Sequence, residues 1–238
     1  MMIRILEIYR RISRKWMHIR LQPIHVFCLH HVCEHFDAES MHDVDWIALD
    51  KFKQKVLAMQ QSGVEFITLT NAYDKLVHSL SPFAFRLNRY AVLTFDDGYA
   101  SLKEVLPWLK EHDIPVMLFI NPDYAAGKAY RESDKEKYLT IEELAELDVE
   151  IGMHGLQHLD VTKMNEDEFY EFAESSFHHS INSSLKHFIP FWAYTWGRHN
   201  SMTDRVLKEK GITPVYIDGM KNYNDASCIH RELLDNYK

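Results

Sequence analysis

The chain is short of what would make it a disulfide-stapled domain, a fibre or a membrane protein. Three cysteines in 238 residues, Cys28, Cys33 and Cys228, are an odd count with no Cys-x-x-Cys pair. They give no disulfide framework and fit a reducing compartment. Eight glycines and seven prolines exclude collagen-like and low-complexity classes. No apolar run reaches the roughly 20 residues of a spanning helix. Arg and Lys break up the first 23 residues too often for the apolar region of a signal peptide, which predicts a cytoplasmic chain. Positive charge is also in deficit, 27 Lys and Arg against 35 Asp and Glu, and the net −8 argues against nucleic-acid binding through bulk charge. Hydrophobic and charged residues, at 46% and 26%, are ordinary and sufficient for one domain with a sizeable core. Histidine is in excess, at fifteen, and hints at metal or proton chemistry.

Residues 1–22 stand apart from the domain expected over 23–238. Arg4, Arg10, Arg11, Arg14, Lys15 and Arg20 face one acid, Glu7, while Ile5, Ile8, Ile12, Trp16 and Ile19 recur at helical spacing. Such a basic amphipathic segment can pack on the domain, or lie peripherally on an anionic inner membrane face through residues 1–20.

Beyond Pro23, short apolar runs alternate with helix-like stretches. The strand-like runs are Ile24–Leu29, Phe66–Leu69, Tyr90–Phe95, Val116–Ile120, Val149–Met153, Phe191–Tyr194 and Val215–Ile217. Helices are expected over Leu49–Gln61, Asn71–Leu80, Ala100–His112, Ile141–Leu147, Asn165–Ser184 and Met202–Lys210, with a capping box at Thr140-Ile-Glu-Glu143. This alternation predicts an α/β fold with a mostly parallel sheet, and about seven repeats favour an incomplete barrel over an open sheet. A long polar loop is expected over Asn121–Leu139.

Three clusters carry chemistry. Leu93-Thr94-Phe95-Asp96-Asp97-Gly98-Tyr99 ends an apolar strand in two acids and a turn-permitting glycine. In α/β folds ligands bind at such strand ends. Adjacent residues there point apart, so one carboxylate can hold a metal while the other handles a proton. Gly152-Met153-His154-Gly155-Leu156-Gln157-His158 offers two histidines four apart, a spacing that suits metal ligation. A metalloprotease would need Glu where Gly155 stands. One carboxylate and two histidines leave a catalytic zinc an open position for water, although non-heme iron oxygenases use the same set. Pro190-Phe191-Trp192-Ala193-Tyr194-Thr195-Trp196-Gly197 runs a strand into an aromatic turn that can pack in the core or stack on a sugar. The pairs His30/His31 and His178/His179 read as incidental.

These residues resemble the NodB-like polysaccharide deacetylases over about residues 24–231. Thr94-Phe95-Asp96-Asp97-Gly98 is similar to the family's first motif. His154-x-x-x-His158 resembles its second, which usually has Ser or Thr where Gly155 stands. Ala193-Tyr194-Thr195-Trp196-Gly197 resembles its third, with Thr195 in place of the usual Pro. Phe27-Cys28-Leu29-His30-His31-Val32 is similar to the opening strand of many such domains. The resemblance implies a distorted, incomplete (β/α) barrel and metal-dependent removal of acetyl groups from sugars. It implies that Asp97, His154 and His158 hold a divalent metal, most readily zinc, with cobalt, nickel or iron as alternatives. It also implies that Asp96 is the general base and that the backbone N–H of Trp196 stabilises the oxyanion. No Arg stands at Ala193, where the family places one to orient the base. The family's late Leu-x-His motif is matched by Cys228-Ile229-His230, which makes His230 the general-acid candidate and His199 a weaker one. Tyr99, Tyr194 and Trp196 are the candidate sugar-contacting aromatics. The expected partner is an acetylated sugar or oligosaccharide, a surface glycan or its intracellular precursor. A same-fold hydrolase of a non-sugar amide, such as a cyclic imide or a formyl-sugar nucleotide, and a carbohydrate-binding relic are the alternatives.

Overall fold

A computed structural model describes residues 23–34, 46–78, 88–128, 137–179, 184–222 and 226–234. The basic segment 1–22 and part of the loop expected over Asn121–Leu139 lie outside them. The strands are β1 Ile24–Leu29, β2 His31–Cys33, β3 Trp46–Ala48, β4 Val64–Phe66, β5 Arg89–Phe95, β6 Val116–Ile120, β7 Glu150–Met153, β8 Phe188–Ala193, β9 Thr213–Ile217 and β10 Ile229–Leu233. The helices are α1 Leu49–Gln61, α2 Leu69–His78, α3 Leu106–Glu111, α4 Pro122–Ala125, α5 Ile141–Glu146, α6 Glu166–Phe177 and α7 Ser201–Glu209.

β1 is hydrogen-bonded to β10 on one side and to β5 on the other, so the order β1-β10-β9-β8-β7-β6-β5 returns to its start. The β1–β5 register runs from Ile24↔Tyr90 to Leu29↔Phe95, and every pairing in the ring is parallel. The barrel thus has seven strands, as expected, but it is closed and its membership differs. The expected strand Phe66–Leu69 divides: β4 ends at Phe66, and Leu69 begins α2. β4 lies outside the ring, paired with the first half of β5, while β6 takes the second half. The seventh place belongs to β10.

Strand alternation sorts the core into two layers. Ile24, Val26, Val92, Met117, Phe119, Phe191, Ala193, Val215 and Ile229 fill the barrel. Their neighbours Phe27, Leu93, Phe95 and Leu118 point outward, into a layer shared with Phe52, Val56, Phe169 and Leu207 of the helices. The inward rows continue toward the strand ends as Thr94 and Asp96 on β5 and Arg231 on β10. The polar groups at the mouth therefore stand on an apolar plug.

Thr140 and Asn165 open α5 and α6 with reciprocal capping boxes through Glu143 and Glu168, each worth about 1 kcal/mol. The helix expected over Ala100–His112 breaks into a 3-10 turn, Ala100–Glu104, and α3. Pro107 is the cause. Its ring cannot follow helical backbone, but it is tolerated in a first turn. Among the described residues no helix is long and apolar enough to cross a membrane.

Candidate active site

The two acids that end β5 have different surroundings. Asp96 is 3% exposed and accepts Arg231 in a fork, Nη1 to Oδ1 at 2.6 Å and Nη2 to Oδ2 at 2.9 Å. Arg231 Nη1 also donates to Thr94 Oγ1 at 3.0 Å, and the guanidinium lies over the Phe119 ring at 5.2 Å. Burial alone would raise the Asp96 carboxyl, but the Arg231 charge and hydrogen bonds hold it well below the usual carboxylate range. The arginine missing at Ala193 is thus replaced from β10, across the barrel. Such planar, two-pronged pairing is specific to arginine.

Asp97 turns the other way because its backbone is left-handed, with φ 68°. Its Oδ1 lies 3.5 Å from His154 Nε2 and 3.6 Å from His158 Nε2. Nitrogen and oxygen ligands of a tetrahedral zinc, with bonds of about 2.0–2.1 Å, sit roughly 3.4 Å apart, so this donor set fits such an ion. His154 Nδ1 bonds the Ala193 carbonyl at 2.9 Å, which leaves Nε2 to face Asp97. Burial lowers His154 to about 3 and His158 to about 4, so both rings are neutral and can ligate near pH 7. Burial pushes Asp97 up to about 6; His30 pulls it down and Asp96 adds to the rise. A cation among these three groups would satisfy all of them.

The surroundings hold this geometry. Asn121, buried at the end of β6, donates from Nδ2 to the carbonyls of His154 and Gly155 at 2.8 and 3.1 Å. Gly155 has φ +86°, and an added Cβ would meet Gln157 O at 2.9 Å, which explains glycine where the family usually has Ser or Thr. Thr195, at the usual Pro position, hydrogen-bonds the Leu159 carbonyl and ties the third motif to the second. Tyr99 hydrogen-bonds Asp97 and stacks between His31 and Tyr138. Trp196 is 57% exposed, takes a left-handed backbone at φ 53°, and sets its ring edge-on to His158 at 4.4 Å.

Asp96, Asp97, His154, His158, Tyr99 and Trp196 are therefore brought together at the mouth. Tyr194, His199 and His230 are not. Tyr194 is buried in the outer layer, its hydroxyl bonded to Asp204 at 3.0 Å and its ring stacked on His199. His230 precedes Arg231 on β10 and so faces outward, toward Asp218, Cys228 and Tyr216.

His30, read as incidental, belongs to the mouth. One of its ring nitrogens, Cys28 Sγ and an Asp96 oxygen lie within 4.8 Å of one another. Its Nδ1 is buried without a hydrogen-bond partner. His30 lies in segment 27–32, similar to the family's opening strand, a likeness that assigned it no role; Arg231 belongs to none of the quoted motifs. The signal available was position: His30 directly follows a strand that pairs with β5, and Arg231 directly follows the late Cys228-Ile229-His230 match.

A family model described as polysaccharide deacetylase matches residues 86–215. No curated protein matches the chain. Among solved structures, the Streptococcus pyogenes deacetylase PplD, in complex with acetate, is 19% identical with a TM-score of 0.75, covering 91% of this chain and 95% of that one. A de-N-acetylase from Aggregatibacter actinomycetemcomitans is 16% identical with a TM-score of 0.73, covering 89% and 95%. IcaB from Ammonifex degensii is 21% identical with a TM-score of 0.66, covering 90% and 93%. At these identities the likeness is one of fold.

Proposed function

The chain belongs to the polysaccharide deacetylase family and is a carbohydrate deacetylase, and from that premise we propose that it removes an N-acetyl group from an amino sugar of a surface glycan or its precursor. The substrate would be made inside the cell and met at the inner membrane face. The observation that carries this reading is the convergence of Asp97, His154 and His158 on one point beside a carboxylate clamped by arginine.

Asp97, His154 and His158 would hold a divalent ion, zinc before cobalt, nickel or iron. When bound, the ion supplies Lewis-acid polarisation and an acidified water. Asp96, kept ionised by Arg231, takes the proton of the attacking water on a carboxylate oxygen. The backbone N–H of Trp196 stabilises the oxyanion, and its exposed ring, with Tyr99, contacts the sugar. His30, across from Asp96, donates a proton to the leaving amine. His30 takes the role that the resemblance implied for His230, because its ring is the one at the mouth.

The test is acetate release from a panel of N-acetylated sugars, polymeric, lipid-linked and nucleotide-linked, with and without chelator and added zinc. Metal-dependent acetate release by the wild type, lost in Asp96→Asn and His158→Ala, is the expected result. Metal retention without acetate from any sugar would overturn the substrate class.

A further inference from the structure

Outside the barrel, on the face of β10 opposite Arg231, three side chains line up. Cys228 Sγ is 3.4 Å from His230 Nε2, and His230 Nδ1 is 2.7 Å from Asp218 Oδ2. A thiol, a base within reach and a carboxylate that orients the base is the arrangement that activates a nucleophile.

The arrangement is braced on both sides. Asn222, 2% exposed, accepts the His230 backbone N–H at 2.9 Å and donates to its carbonyl at 2.7 Å, so the histidine is pinned at its backbone. Asp218 accepts the Met220 N–H at 3.0 Å on its other oxygen. The Tyr216 ring lies 5.7 Å from that of His230, with the His199 ring stacked behind it at 4.1 Å. None of these groups contributes to the deacetylase chemistry.

The other two cysteines differ. The thiol of Cys28 points at the Asp96 carboxylate, inside the mouth cluster that also holds His30 and Arg231. Cys33 accepts the Trp46 indole N–H, and burial pushes its thiol up. Cys228 is set against a histidine whose second ring nitrogen meets a carboxylate. It is 7% exposed, while 16% of the His230 side chain is exposed beside it. Only a small reagent can reach the sulfur.

We propose that Cys228 is a modification site, a nucleophilic thiol that reacts with a small hydroperoxide under the control of His230 and Asp218. The thiol proton passes to His230 Nε2, and Asp218 stabilises the imidazolium. The sulfur attacks the terminal peroxide oxygen, an S–O bond forms, and the O–O bond breaks with its electron pair on the departing oxygen. That oxygen takes the proton from His230 and leaves as water or alcohol. Sulfur is oxidised to sulfenic acid, peroxide is reduced, and a low-molecular-weight thiol can reverse the change.

The experiment treats the full native chain with hydrogen peroxide, quenches with catalase, unfolds in urea with iodoacetamide, and quantifies each cysteine by peptide mass. Cys228 should be oxidised about 10-fold faster than Cys28 and Cys33 at pH 7, within the roughly 30-fold gain that full ionisation of a thiol of pKa about 8.5 allows. His230→Gln should remove that advantage and Asp218→Asn should lessen it. The wild-type rate should be nearly flat from pH 7 to 9. The groups facing the sulfur include His230 and the Ser227 hydroxyl, with Asp218 and Tyr216 behind and His199 and Asp204 beyond. Equal rates at the three cysteines, or a rate that climbs about tenfold per pH unit, would overturn the proposal; the second readout needs no variant to fold.

Discussion

On the inner face of β10, Arg231 meets Asp96 with neither side chain appreciably exposed; on the outer face, one residue earlier, His230 meets Asp218 with 16% and 33% of their side chains exposed. Both set a nitrogen side chain against a carboxylate at similar length, yet they do different work. Deep in the apolar plug, an unpaired charge costs several kcal/mol, so the inner pair needs a cation that keeps its proton, and arginine does. Near solvent the outer pair can use histidine, which gives and takes a proton within the biological range. The inner face fixes a charge and the outer face leaves a proton exchangeable. One residue of strand register separates the two.

The comparison breaks most severely if the inner cation is removed. Arg231→Met should destabilise the chain by about 3–5 kcal/mol in urea unfolding, because Asp96 is left buried and unpaired. Asp96→Leu with Arg231→Met should regain much of that loss while remaining inactive. Asp96 is depressed in the folded state, so its contribution is complete above the unfolded value, about 3.9, and fades as pH falls through the folded one. The gap between wild type and Arg231→Met should accordingly narrow in acid and be widest near neutrality. A gap independent of pH would mean that the pair is not the source.

A second test sets the two histidines against each other. His30→Gln should lower kcat by about 10²–10⁴-fold, the range of a general acid, with metal content intact and less loss on an acetyl ester whose leaving group needs no proton. His230→Gln should cost no more than about 3-fold, through the outer layer's packing. The reverse order would return the acid role to His230. The smallest effect concerns pH and the ion. Asp97 gains a proton below about 6, so the apparent metal affinity should hold from pH 8 to 6 and then fall about tenfold per unit. Equilibrium dialysis at stepped pH measures this, and an unchanged affinity at pH 5 would exclude Asp97 as a ligand.

Much of this was legible in the residues. The strand-helix alternation yields the barrel because each period, two or 3.6, matches a buried face. The convergence of the candidate ligands Asp97, His154 and His158 was expected because each stands at or just past the end of an apolar strand, the two histidines four apart. Arg231 was not, since its link to Asp96 spans 135 residues and depends on a ring closure that periodicity does not encode. The outward direction of His230 was not legible for a related reason: a motif match gives position along the chain, whereas inward or outward is decided by register. His30 was set aside because adjacent histidines carry no spacing, and Tyr194 was assigned to the sugar although an aromatic motif suits a core as well, which is where the structure places it.

The closing of the barrel between β1 and both β5 and β10 bears on how the protein is made. Domains fold as the chain emerges, N-terminal parts first. Asp96 is complete early, but its counter-charge arrives only with β10. Until then the ring has a gap between β1 and β9, and the plug is open to water on that side, where an unpaired carboxylate is tolerated. The arrival of β10 seals the plug and neutralises the carboxylate in one event. A chain stopped short of Arg231 would lack a wall as well as a partner for its base.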